Sequence, residues 1–146
     1  MSERIYQILL VEDHPADVLL TRKALSKLKS PTALHVAVDG IDAMDFLRRE
    51  GRYQSVVRPD LVLLDLNMPR RDGRAVLRDV KSDAVLQVLP VIVLTTSSAS
   101  HDIHLAYTLH ANGYVVKPVA FEDFVAALEA IERFWLNVAH LPPPHP

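Results

Sequence analysis

Three short runs in the sequence are apolar at every position: Ile8-Leu9-Leu10-Val11, Leu61-Val62-Leu63-Leu64 and Val91-Ile92-Val93-Leu94. They lack the polar alternation of a half-exposed strand, so they predict strands buried on both faces, as in a parallel sheet covered by helices. Weaker strand signals lie at Leu34 to Val38 and Tyr114 to Val116. Between them run amphipathic stretches at Pro15 to Leu28, Asp42 to Arg49, Gly73 to Val80, Ser100 to Leu109 and Glu122 to Ala139. A strict β-α alternation repeated five times predicts a doubly wound α/β domain. Pro15 suits the first turn of a helix, where its missing N–H costs nothing, and Pro31 and Pro59 fall in predicted loops.

In such sheets the functional loops lie at the carboxyl ends of the strands. The residues just past the predicted strands are Glu12-Asp13, Asp65, Thr95-Thr96 and Lys117-Pro118, which should meet at one rim. Three carboxylates brought together repel, and a cation or proton uptake relieves the cost. A hard-oxygen site with room for water and a phosphate oxygen suits Mg²⁺. Lys117 would add a second positive charge, and Thr95 a hydroxyl able to donate to an oxyanion. Carboxylates, with an ordinary pKa of about 4, are ionised at neutral pH, so an aspartate can attack a phosphoryl group without a general base. The parts describe a phosphoryl-transfer site with Asp65 as nucleophile. Glu12-Asp13 also suits a cap on the first helix, and Asp13 could do both jobs.

Composition narrows the setting. With 146 residues, 49% hydrophobic and 23% charged, the chain reads as one folded domain over 1–146, with a core at about 5–139 and a proline-rich tail at 140–146. A net charge of -2 supplies no field for a phosphate backbone, so nucleic acid is not the expected partner. No apolar run nears the ~20 residues that span a bilayer, and the start lacks a signal peptide's apolar stretch. The absence of cysteine excludes thiol chemistry and fits a reducing compartment; the expected location is the cytoplasm, away from membranes.

Four blocks, QILLVEDHPAD, PDLVLLDLNMPRRDG, LPVIVLTTSS and ANGYVVKPV, resemble in order the signature segments of bacterial two-component receiver domains, over roughly Ile8 to Ala139. The resemblance implies a flavodoxin-like parallel sheet of order 2-1-3-4-5 with five helices, and a phosphoaccepting signalling protein rather than a turnover enzyme, one that assists its own phosphorylation and dephosphorylation. It implies Asp65 as acceptor, Glu12 and Asp13 as the acid pair beside it, and Asn67 as a backbone carbonyl ligand, all four contributing to a Mg²⁺ site. It implies that Lys117 pairs with the acceptor, that the Lys117–Pro118 bond is cis, and that Thr95 and Tyr114 carry the switch to the surface of the fourth helix, fifth strand and fifth helix. Thr96 departs from the small alanine common after the switch threonine. A metal-dependent phosphatase is the rival, but such enzymes usually place a second acid two residues after the nucleophile, where this chain has Asn67.

His101 and His104 share a helical spacing but lack a third ligand, and His14 needs no special role beside the site. Phe121, Phe124, Val125, Leu128, Ile131 and Trp135 form one buried stripe. Phe134, Trp135 and Leu136 are consecutive, and successive helical residues project about 100° apart, so one stripe cannot cover all three. A homodimer interface, or the folded-back tail, should shelter the remainder. DIHLAYTLHANGYVVKPV and IERFWLNVAHLPPP resemble the closing segments of single-domain response regulators that partner phytochrome-type histidine kinases, which implies such a kinase, a bacteriophytochrome, as phosphodonor.

Overall fold

A computed structural model describes residues 4–68 and 72–143; the stretch Pro144 to Pro146 of the expected proline-rich tail lies outside them. Five strands, β1 (Tyr6–Val11), β2 (Thr32–Ala37), β3 (Leu61–Leu64), β4 (Val91–Thr95) and β5 (Gly113–Val116), form one parallel sheet in the order β2-β1-β3-β4-β5. They alternate with α1 (Pro15–Leu25), α2 (Gly40–Arg48), α3 (Gly73–Ser82), α4 (Ser100–Thr108) and α5 (Phe121–Ile131).

The unbroken apolar runs are buried as expected: every residue of Ile8–Val11, β3 and β4 is inaccessible. Their alternate side chains supply two separate cores. Leu9, Val11, Val62, Leu64, Val91 and Val93 point to one face, where α2 and α3 add Phe46, Leu47, Val76 and Leu77. Ile8, Leu10, Leu61, Leu63, Ile92 and Leu94 point to the other, where α1 and α5 add Leu25, Phe124 and Leu128. Truncating one such central leucine to alanine costs about 2–5 kcal/mol, because both faces are packed. The edge strands β2 and β5 are only half-buried, which is why their sequence signal is weaker.

Local chemistry sets the helix starts. Pro15 opens α1, and Asp39 accepts from the Asp42 amide at 2.8 Å, starting α2 at Gly40, two residues before the expected start at Asp42. Asp72 caps α3 by accepting from the amides of Arg74 and Ala75 at 2.9 and 3.1 Å. The single long helix expected over Glu122 to Ala139 is divided: α5 gives way to a π-helical segment, Glu132–Val138. A π-helix turns each residue through less than an α-helix does, so neighbours can share an inward side. Leu136 is accordingly buried and Trp135 packs partly on the second core, while Phe134 stays 52% exposed. The Tyr6 hydroxyl donates to the Leu136 carbonyl at 2.8 Å and ties the segment to β1.

Candidate phosphoryl-acceptor site

The carboxyl ends of β1, β3, β4 and β5 bring the expected residues to one rim. Oxygens of Glu12, Asp13 and Asp65 lie within 4.8 Å of one another, and no histidine joins them among the described residues. Glu12 and Asp65 are buried, and Asp13 is half-buried. Asp65 is held by its own strand end: its amide donates to the Val11 carbonyl at 3.1 Å, and its Oδ1 accepts from the Asn67 amide at 3.2 Å. Asn67 therefore reaches Asp65 through its amide, beside the carbonyl the resemblance assigns to a cation.

Lys117 enters from β5, its amide bonded to the Thr95 carbonyl at 2.7 Å. Its Nζ lies 2.5 Å from Glu12 Oε1, 3.5 Å from Asp17 Oδ2 and 4.0 Å from Asp65 Oδ2. The principal partner of the lysine is thus Glu12 rather than Asp65, because Glu12 is the more deeply buried charge and has the greater need of neutralisation. Burial raises the Glu12 pKa above the usual carboxylate range even though Lys117 pulls it down, and the neighbouring Asp65 charge adds to the rise. Burial lowers the Lys117 pKa, but the Glu12 hydrogen bond and charge outweigh it and hold the ammonium above its ordinary value. A further difference from the resemblance is that the described residues contain no cis peptide bond, so Lys117–Pro118 is trans.

Thr95 is fully buried, and its Oγ1 has no hydrogen-bond partner. A buried hydroxyl left unpaired costs about 1–3 kcal/mol, so a position beside an anionic site calls for a ligand oxygen. Tyr114 is turned inward and half-buried, donating from its hydroxyl to the Ser97 carbonyl at 2.9 Å. Thr96 is exposed. His14 stands at the α1 N-cap position and makes no side-chain cap, its amide donating to Glu12 Oε2 at 3.2 Å instead. His101 and His104 are exposed on α4, and no acidic or histidine cluster among the described residues includes either.

Two contributors went unread in the sequence. A Cβ added to Gly73 would fall 2.1 Å from the Asp65 carbonyl oxygen and 2.6 Å from Leu66 Cα, so α3 starts in backbone contact with Asp65 and only glycine fits. The Asp-Gly at the end of the PDLVLLDLNMPRRDG block carried that signal. Asp17, in the first turn of α1, is a further carboxylate on Lys117 that spacing alone did not single out.

A family profile for the response regulator receiver domain matches residues 8–129, and the chain belongs to that family. It is 42% identical to response regulator Rcp1 of a Synechocystis species over 135 residues, 92% of either chain. Its structure is similar to that of the phosphorylated cyanobacterial phytochrome response regulator RcpA, with a TM-score of 0.91 and 44% identity over 96% of this chain and all of that one. The Mn²⁺-bound form of Rcp1 matches with a TM-score of 0.87 and 41% identity, over 94% and 99% of the two chains. The chain is thus a response regulator receiver that accepts a phosphoryl group on an aspartate, with an acidic cluster of the kind that holds a divalent metal in its relatives. Among the described residues no helix is long and apolar enough to cross a membrane.

Proposed function

We propose that Asp65 is the aspartate that takes the phosphoryl group, from a phosphohistidine of a phytochrome-type histidine kinase, and that the chain acts in the cytoplasm as a phosphorylation switch. The observation that carries the acceptor assignment is the buried, unpartnered Thr95 hydroxyl on the same rim as Asp65 and the Lys117 ammonium. An Asp65 carboxylate oxygen attacks phosphorus as the bond to the donor nitrogen breaks, and the imidazole leaves with its electron pair. Thr95 then donates to a phosphoryl oxygen, and Lys117 shifts part of its charge from Glu12 to the new acyl phosphate. Glu12, Asp13, Asp65 and the Asn67 carbonyl suit Mg²⁺, which when bound neutralises charge on the phosphoryl oxygens. The same rim assists both gain and loss of the phosphoryl group, so the chain is a phosphoacceptor rather than an enzyme acting on other molecules.

Incubation with Mg²⁺ and a small acyl-phosphate donor should add one phosphoryl group, seen by intact-protein mass. Incorporation undiminished in Asp65→Asn would remove the assignment. The similarity to RcpA and Rcp1 supports the phytochrome donor, and a transfer profile against purified histidine kinases in which no phytochrome-type kinase is preferred would count against it.

The same reading includes a homodimer through α4, β5 and α5. Tyr107, Val116 and Phe134 are 50%, 39% and 52% exposed on those elements and their π-helical extension, an apolar surface of the kind that marks an interface. Trp135 borders it, whereas Leu136 is used inside the chain's own core and has little area left for a partner. Sedimentation should give a dimer at micromolar concentration for the wild type and a monomer for Phe134→Ser; a monomeric wild type refutes the interface.

A further inference from the structure

A chain of contacts joins the acceptor loop to the loop between β4 and α4. Arg74, the second residue of α3, donates from Nη2 to Asp102 Oδ1 on α4 at 2.9 Å. The other carboxylate oxygen, Oδ2, accepts from the Ser97 hydroxyl at 2.5 Å, and His101 Nε2 lies 3.3 Å from Oδ1. Ser97 is held from two further sides: its Oγ accepts from the Ala99 amide at 3.3 Å, and its carbonyl accepts the Tyr114 hydroxyl.

The two ends of this chain are fixed on the site. Arg74 follows Gly73, whose Cα leaves no room for a side chain against Asp65, and the Asp72 cap holds the Arg74 amide. Ser97 follows Thr95 by two residues, and the Thr95 hydroxyl has no partner. Asp102 is 8% exposed, so its charge needs the donors it has, and the Ser97 hydroxyl, followed by Arg74, holds its carboxyl below the usual range. Residues 96 and 98–99 are exposed, and the loop is held by this carboxylate, by the tyrosine and by the Ala99 carbonyl, which accepts from the Asp102 and Ile103 amides at 3.1 Å.

We propose that Asp102 and Arg74 are a positioning pair: they hold the loop after β4 so that the Thr95 hydroxyl stands ready for a phosphoryl oxygen and Tyr114 is kept inward. This rests on the reading of Asp65 as acceptor. The pair touches no reacting atom. Its effect passes through Ser97 to the two switch residues, and through Gly73 it makes the geometry of the acceptor loop and of the switch loop one unit.

The test is binding of beryllofluoride, a phosphoryl mimic, in the presence of Mg²⁺, with Mg²⁺ affinity measured separately. Asp102→Ala and Arg74→Met should each weaken beryllofluoride at least about fivefold, the lower end of ordinary site-to-site coupling, while Mg²⁺ affinity stays within about twofold of wild type. The double variant should be no weaker than the worse single one, since both changes break one contact. Asp102→Asn, which keeps an acceptor for Ser97 but loses the charge, should fall between. Ser97→Ala, which leaves the ion pair intact, should also weaken the mimic, and it carries the test together with Arg74→Met if Asp102→Ala fails to fold by circular dichroism. Unchanged affinity in the singles, losses that multiply in the double, or a parallel loss of Mg²⁺ affinity each overturn the pair. A wild-type chain that binds no beryllofluoride overturns the acceptor assignment itself, whereas intact binding in every variant overturns the pair alone.

Discussion

Glu12 and Glu132 are both buried, at 1% and 6% exposure, yet they are accommodated in opposite ways. Glu132, where α5 passes into the π-helical segment, accepts from the Ser30 amide at 2.6 Å, a backbone donor that cannot move elsewhere. Glu12, at the end of β1, depends mainly on the Lys117 ammonium, which Asp17 and Asp65 also approach. The first arrangement is closed and fastens the chain ahead of β2. The second is short of positive charge, and any cation, proton or phosphoryl group that arrives redistributes the lysine. Buried charge is therefore structural where its donor is dedicated and responsive where its donor is shared.

The sharpest way to break that contrast is Lys117→Met. It strands Glu12 and should cost about 3 kcal/mol at neutral pH, measured by urea unfolding, besides removing the phosphorylation response. The Glu12 pKa is already raised, so its ionised form disfavours the folded state once pH exceeds the unfolded carboxylate value. Without the lysine the pKa rises further, and the penalty of the variant should shrink as the pH falls and Glu12 takes up a proton. Lys117 itself, with a raised folded pKa, contributes fully below the ordinary lysine value of 10.5 and loses its contribution only as alkaline pH passes the folded value.

Glu132→Ala should cost less, about 1–2 kcal/mol, from one unsatisfied amide, and should leave acyl-phosphate incorporation at Asp65 unchanged. A change in the phosphorylation rate would show that the two buried glutamates are coupled. The smallest effect is expected at a third carboxylate, Asp42, which accepts from the Tyr53 hydroxyl at 2.6 Å, the Val38 amide at 3.1 Å and Arg52 at 3.0 Å. Burial pushes its pKa up, but the Tyr53 bond and the other donors bring it below 3.8 overall. Its stabilisation is present above that value and lost as pH falls through the folded pKa, so Tyr53→Phe should cost about 1 kcal/mol at neutral pH and nothing in stronger acid. Thermal unfolding at both pH values checks this.

Much of this molecule was legible in the order of its residues. The runs Ile8–Val11, Leu61–Leu64 and Val91–Leu94 name the central strands because a strand packed on both faces has no polar side, and the residues that follow them name the site because parallel strands all end at the same rim. Glu12, Asp13, Asp65, Thr95 and Lys117 could be brought together on that ground alone. Their partners could not: that Lys117 favours Glu12 over Asp65, that Asp17 shares it, and that Thr95 Oγ1 is left unpaired are outcomes of angstrom-scale placement among competing charges. The π-helical turn that buries Leu136 and leaves Phe134 outside, and the Arg74–Asp102–Ser97 contact across three elements, likewise arise only when the helices are docked. Periodicity is a property of neighbours in sequence and survives in the bare chain. The pairing of buried charges depends on which distant groups arrive within hydrogen-bond reach, and that is decided by the tertiary structure.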